Sequence, residues 1–194
     1  MALQREDWVR AALRRLAASG IESVRVEALA RDLKTTKGSF YWHFKHRGEL
    51  LSVMLREWET QKDQMMSAVA QERTPTERVE HFVQLIAAYA VDPESVALEN
   101  AILAWAQQDP AVAKRAAAME AKRISNAKRL LEDLGFPQAD AHFWAEAGYT
   151  LFVGMMNRTS RDPAFRRQPP AQYHAKMVEA AELLIARNAH RASA

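Results

Sequence analysis

The residues that most restrict what this chain can become run from Val24 to Leu51, VRVEALARDLKTTKGSFYWHFKHRGELL. Val26, Leu29, Ala30 and Leu33 recur at helical spacing, which predicts a short helix over about 26–32. Lys34, Thr35 and Thr36 interrupt it. A second short helix, about 37–43, then opens on Lys37, Gly38 and Ser39 and carries Phe40, Tyr41, Trp42 and His43, with Phe44 directly behind. Thr36 suits its N-cap, because a hydroxyl there accepts a hydrogen bond from an early backbone N–H. Two short helices joined by a tight polar break, the second crowded with basic and hydrogen-bonding side chains, form the pattern of a helix-turn-helix DNA reader.

Helix surrounds this motif on both sides. Trp8, Val9, Ala12, Leu13 and Leu16 predict a first helix over about 4–18, stopped by Ser19-Gly20. The second helix lacks a Ser, Thr, Asp or Asn directly before it, and nearby Ser23 is the expected substitute cap. After His46-Arg47-Gly48 a long helix is expected over about 48–71. Thr74-Pro75 ends it, and Thr76 restarts a helix bearing Val79, Phe82, Val83, Ile86 and Tyr89. Asp92-Pro93 and Asp109-Pro110 punctuate next, with Pro suited to a first helical turn. Leu130, Leu131 and Leu134 close a helix before Gly135-Phe136-Pro137. Two longer segments, about 138–157 and 171–188, flank RTSRDPAFRRQPP, which reads as a basic, Pro-rich loop. With six Gly and seven Pro in 194 residues, and no alternating strand pattern, the chain is expected to be all-α, with about nine helices. The division expected is a three-helix DNA-binding domain over 1–50 and a larger helical domain over 51–194.

Charge separates along the same line. Residues 1–50 hold ten Lys and Arg against six Asp and Glu, a net +4, whereas residues 51–194 hold 17 against 18, a net −1. The basic excess therefore lies with the helix-turn-helix pattern; charge alone reads equally as a polyanion partner or as a solvated helix face. The chain has no Cys, which removes disulfides and thiolate metal sites. The start, MALQREDWVRAAL, lacks the uninterrupted apolar run of a signal peptide, and no segment approaches the ~18 apolar residues of a membrane span. A cytoplasmic protein without membrane contact is expected. The six His (His43, His46, His81, His142, His174, His190) form no HExxH and no di-iron Glu-x-x-His pair, and no Gly-rich phosphate loop or serine elbow occurs. No catalytic residue, metal or cofactor is expected.

A recognition helix in the major groove must aim its early residues at base edges and anchor its flanks on phosphates. Lys37 is placed for phosphate or a guanine edge. Gly38 permits close backbone approach, and Ser39 can donate or accept at a base. Tyr41 and His43 offer polar tips to phosphate oxygens, while Trp42 is suited to a sugar or a thymine methyl, or else to covering the junction with the next helix. Arg47 and Arg25 are the expected backbone clamps, and Thr36 completes the set. Phe40 and Phe44 are expected inside, against Leu13, Leu29 and Leu33.

The stretch GIESVRVEALARDLKTTKGSFYWHFKHRGELL resembles the N-terminal domain of the tetracycline-repressor (TetR) family. The matching elements are Gly20, Leu29-Ala30, Lys37-Gly38-Ser39-Phe40-Tyr41, His43-Phe44, and Arg47-x-Glu49-Leu50-Leu51. AILAWAQQDPAVA and RISNAKRLLEDLGF echo later helices of the family. Lys34-Thr35-Thr36 stands where Gly-Val-Ser is usual, and Arg25 where a small hydroxyl residue usually begins the second helix. The resemblance implies a homodimeric transcriptional regulator, usually a repressor, that binds a near-palindromic operator and releases it when a small molecule occupies the C-terminal domain. A transcriptional activator on the same fold, and an all-α small-molecule binder without DNA-binding activity, are the alternatives.

The C-terminal domain offers two stripes for dimerisation: Trp144, Ala147, Gly148, Leu151 and Met155, then Met177, Ala181, Leu184 and Ile185. Two such helices from each subunit make a four-helix interface, with the small residues allowing close approach. The rival reading is that both stripes face the domain's own core. A mainly apolar effector cavity is expected among Trp58, Met65, Phe82, Tyr89, Trp105, Tyr149 and Phe152, with Asn100 or His81 as polar anchors; the rival reading is that aromatics and Met at helical spacing are ordinary core.

Overall fold

Ten α-helices and one 3-10 turn make up the described part of a computed structural model of the chain, and no strand occurs there. The structure describes residues 3–167 and 170–192, and their side chains apart from 166–174 and 188–192. The helices are α1 (Arg5–Ser19), α2 (Val26–Asp32), α3 (Lys37–His43), α4 (Arg47–Val69), α5 (Pro75–Val91), α6 (Pro93–Ala106), α7 (Pro110–Asp133), α8 (Gln138–Arg161), α9 (Pro163–Arg167) and α10 (Pro170–Ala192). Two compact units result, Met1–Lys62 with Ala97–Ala116, and Asp63–Val96 with Ala117–Ala194. The expected division at residue 50 is not where the units part, because the first two-thirds of α4 and most of α6 pack with the N-terminal helices.

In the first unit, α1 presents Trp8, Val9, Ala12, Leu13 and Leu16 inward, all buried. Phe40 from α3 and Phe44, directly behind that helix, complete this core at 0% and 1% exposure. Their rings stack at 5.3 Å, and Trp8 meets Phe40 edge-on at the same distance. Arg15 of α1 grips Asp32 of α2 through two nitrogens, at 2.6 and 3.0 Å. The aromatic cluster thus fixes α3 from behind, and the ion pair ties α1 to the end of α2.

The junctions decide the local geometry. Gly20, at φ 74°, ends α1 and leads into a 3-10 turn over Ile21–Ser23. Ser23 does not cap α2, contrary to expectation. Its hydroxyl instead donates to the carbonyls of Arg15 (3.1 Å) and Gly20 (2.7 Å), so it braces the turn, and Arg25 stands at the N-cap of α2 without a side-chain capping bond. Lys34 adopts φ 52°, the left-handed conformation that Gly favours at such a position. Thr35 N–H reaches Ala30 C=O (2.8 Å) and Lys34 N–H reaches Arg31 C=O (3.1 Å), the paired bonds of a Schellman ending. The turn keeps its shape despite the side chain. Replacing Lys34 with Gly should therefore raise stability by about 0.5–1 kcal/mol, the relieved strain exceeding the extra unfolded-state entropy. The check is the urea midpoint, at constant slope.

In the second unit, α5 packs against α8 and along α10. One core cluster joins Ala90, Val96, Phe152, Met155 and Met156, and another joins Val69, Val79 and Leu130. Thr74 and Glu77 form a reciprocal capping box, so α5 begins at Pro75 rather than Thr76. The segment read as a Pro-rich loop is largely helical. There α8 continues to Arg161, and Asp162 accepts from the amides of Ala164 (2.9 Å) and Phe165 (3.2 Å) to start α9. Those amide bonds also hold the Asp162 carboxyl below its ordinary range. Phe165 is buried, and the Arg158 guanidinium lies 4.3 Å from its ring centroid.

Candidate nucleic-acid interface

The outward face of α3 is built by the same residues that bury its inner face. Phe40 and Phe44, four apart, point into the core, so Lys37, Gly38, Tyr41 and Trp42 are left facing solvent. Thr36 caps the helix, its Oγ1 accepting from Ser39 N–H at 3.3 Å. Gly38 is exposed, and a Cβ built there would meet only Thr36 Oγ1, at 3.5 Å. Nothing in the protein's own packing requires glycine at this position.

Tyr41 is 58% exposed, with its ring edge-on to Phe40 at 5.3 Å. Trp42 is 89% exposed. That exposure removes the alternative in which Trp42 covers the junction with the next helix. An indole held in water costs the fold apolar surface without return, which fits a surface awaiting a partner. Ser39 and His43 are half-buried at the edges of the face. Lys37 lies 2.6 Å from Glu27 Oε1 on α2, and this contact holds the Glu27 carboxyl below its ordinary range.

The two flanking arginines are both bonded to backbone carbonyls in the free protein. Arg47, expected on phosphate, is half-buried and donates through Nε to Val24 C=O (2.5 Å) and through Nη2 to Ile21 C=O (2.9 Å). Its planar fork reaches the carbonyls of Ile21, which opens the 3-10 turn, and Val24, which follows it, so it fastens α4 to that turn. Arg25 is exposed and turns Nε back to Glu22 C=O at 2.9 Å.

Glu49, read from the sequence only as part of the Arg47-x-Glu49-Leu50-Leu51 element, secures the other side of this junction. It takes Lys45 N–H (2.8 Å) and Arg5 Nη2 (2.6 Å), and both lower its carboxyl pKa, the backbone amide first. Arg5 also lies 4.5 Å from the Phe44 ring centroid. No spacing rule links residues 5, 45 and 49, so only the fold shows them together.

Residues 9–54 match a family described as bacterial regulatory proteins, tetR family. The chain carries a tetR-family N-terminal domain. Among curated proteins none matches the sequence. Among solved structures, a TetR-family transcriptional regulator from Streptomyces coelicolor superposes with TM-score 0.74 at 17% identity, covering 94% of each chain. A transcriptional regulator from Saccharomonospora viridis, solved in complex with choline, gives TM-score 0.74 at 16% identity over 92% of this chain and 95% of that one. One from Pseudomonas aeruginosa gives 0.73 at 17% identity over 96% and 92%. At that identity the likeness shows the fold, and the fold is that of tetR-family regulators across nearly the whole chain.

Beyond the tetR-family domain, the expected dimer residues divide. On α8, Trp144 and Leu151 are exposed at 37% and 56%, Ala147 is half-buried, and a Cβ on exposed Gly148 would meet nothing within 4 Å. Met155 is instead a core residue beside Phe152 and Met156. On α10, Met177 and Ile185 pack against the two core clusters, one each, because this helix turns that face toward α5. Ala181 and Leu184 are half-buried. Exposed Phe143 (62%) and Leu183 (66%) were not anticipated.

The expected effector residues also fall into separate groups. Trp58, Asn100 and Trp105 belong to the first unit, where Trp58 is 1% exposed and spends its indole N–H on Glu99 Oε2 at 3.0 Å. Met65, His81, Phe82, Tyr89, Tyr149 and Phe152 belong to the second. There Tyr89, Tyr149 and Phe152 cluster, with ring centroids 6.0 and 6.2 Å from Phe152. Phe82 packs on the other cluster, and His81 Nδ1 lies 2.8 Å from Glu72 Oε1. Among the described residues no group of three or more His, Asp or Glu is disposed to hold a metal ion, and no helix is long and apolar enough to cross a membrane.

Proposed function

We propose that this protein is a DNA-binding transcriptional regulator, a repressor that grips a near-palindromic operator as a homodimer and lets go when a small molecule binds its helical C-terminal part. The observation that carries the reading is the face of α3. Thr36, Lys37, Gly38, Tyr41 and Trp42 stand outward on a helix whose opposite side is locked into an aromatic core. A single helix of this length reads only a few base pairs, so two copies related by symmetry supply useful affinity. The direct test is titration of duplexes spanning the DNA upstream of the protein's own gene at low ionic strength, followed by fluorescence anisotropy. Retention at one duplex, weakened by added salt, is the expected result. Indifference to every duplex defeats the reading.

The dimer surface proposed is the exposed stripe Trp144, Ala147, Gly148 and Leu151 of α8, extended by Phe143. Its small residues allow a second helix to approach closely. Leu151→Ala should weaken self-association by about 1–2 kcal/mol, roughly tenfold, without loss of folding, since the side chain is more than half exposed. Sedimentation velocity over a dilution series reads this directly.

For the effector, the Tyr89, Tyr149 and Phe152 rings resemble part of an aromatic cage, and the S. viridis relative holds choline. The Arg123 guanidinium, 5.7 Å from the Phe152 ring centroid, already occupies one aromatic face. A second cation there would meet like charge, which favours a neutral or anionic effector in this chain.

A further inference from the structure

The recognition helix opens with a cation that is already engaged. Lys37 Nζ lies 2.6 Å from Glu27 Oε1, and the two side chains are 58% and 57% exposed. Glu27 sits in the first turn of α2 and Lys37 in the first turn of α3, ten residues on and across the Lys34 turn. An exposed pair of this kind contributes little to stability. Its consequence lies at the DNA surface. While paired, the Lys37 charge is already balanced by Glu27 and adds little toward neutralising a phosphate; if it leaves, a bare carboxylate faces a polyanion.

A base edge makes a different demand. The ammonium has three N–H donors. One can stay on Glu27 while the others reach the O6 and N7 acceptors of a guanine. The paired cation therefore remains a good donor to a base while losing most of its attraction for the uniform charge of the backbone. Glu27 can also accept from a cytosine amino group, the edge that accompanies guanine in the same base pair.

We propose that Glu27 is a specificity-determining residue: by holding Lys37 in an ion pair, it suppresses sequence-independent binding and reserves the lysine for a G·C edge in the operator. The proposal rests on the DNA-binding reading above. In its absence, Lys37 becomes one more phosphate contact, and non-specific attachment gains at the expense of discrimination.

The test compares wild-type protein, Glu27→Gln, and Glu22→Gln as a charge-matched control. Glu22 is an exposed acid of the neighbouring 3-10 turn, and its removal leaves the Lys37 contact in place. Each is titrated over a salt series against a random-sequence duplex and against a duplex selected from a random pool by the wild-type protein. Glu27→Gln should bind the random duplex about three- to tenfold more tightly, with a salt slope steeper by about one unit. Its gain on the selected duplex should be smaller, so that discrimination falls. The control should change both affinities alike. In the double variant Glu27→Gln/Lys37→Gln the gain should vanish, which isolates the pair from general charge.

Equal gains on both duplexes, or the same outcome for Glu22→Gln, would overturn the proposal, as would an unchanged salt slope. Wild-type protein that binds neither duplex would instead overturn the DNA-binding reading, and this proposal with it.

Discussion

Gly38→Ala should leave a protein that folds better and binds DNA far worse. The added methyl meets only Thr36 Oγ1, at an ordinary contact distance of 3.5 Å, so the free protein has room for it. Ala also suits an exposed helical position better than Gly, by about 0.5–1 kcal/mol. The thermal midpoint should therefore rise by a few degrees. In the proposed docking the same methyl would stand where the backbone of α3 comes close to the duplex, beside Lys37 and one turn before Tyr41 and Trp42. Holding the helix back by even the width of a methyl lengthens the neighbouring base and phosphate contacts together. A loss of about 3 kcal/mol, roughly a hundredfold in affinity, is expected. Calorimetry and anisotropy on one sample measure both effects. Full DNA binding by the Ala variant would mean that the helix docks by another face.

The opposite signs separate two reasons for a glycine that sequence alone leaves mixed. Gly20 sits at φ 74°, and its side chain is excluded by backbone conformation. Gly38 is helical and the free protein has room for a side chain there, so on the proposed DNA-binding reading the duplex is the reason for glycine.

What could be read early follows from how local each cause is. The bounds expected for α2 and α3, 26–32 and 37–43, are those found, because apolar spacing and the Thr36 cap act within a few residues. Asp92-Pro93 and Asp109-Pro110 were legible as helix starts for the same reason. Asp162-Pro163 works identically, with the aspartate accepting from the amides of Ala164 and Phe165, yet the arginines and prolines around it suggested a loop. Periodicity identified apolar stripes on α8 and α10 but not which way they faced. Leu151 and Met155, one turn apart, end on opposite terms, one exposed and the other in the core. The structural bonds of Arg47 were not foreseen because its acceptors are backbone carbonyls, which carry no sequence signal. The contacts of Glu27 with Lys37 and of Glu49 with Arg5 had no sequence signal, because folding alone brings the partners together.

Glu99 offers the largest test of the first unit's packing, and it too had no signature in sequence. It is 1% exposed on α6, accepts the Trp58 indole N–H at 3.0 Å, and has Lys62 Nζ 4.0 Å from the same oxygen. Both α4 side chains are nearly out of water. Removing one partner of such a group is costly, because the remaining charge stays buried; Glu99→Ala should lose about 3–5 kcal/mol. That is a large part of the ~5–15 kcal/mol holding a typical domain together. Glu99→Gln keeps an oxygen for Trp58 but leaves the Lys62 ammonium facing an uncharged amide, and should fall between Ala and wild type. Adding Lys62→Met to it removes the buried cation while keeping the aliphatic stem, and should bring stability back to within about 1 kcal/mol of wild type. Urea unfolding of the four proteins gives the comparison. If Glu99→Ala costs less than about 1 kcal/mol, the carboxylate is hydrated in solution and the Trp58 contact holds little. If instead Glu99→Ala is severe and the double variant recovers, the charge pair itself adds nothing to stability, and the packing of α4 against α6 rests on the apolar body of Trp58.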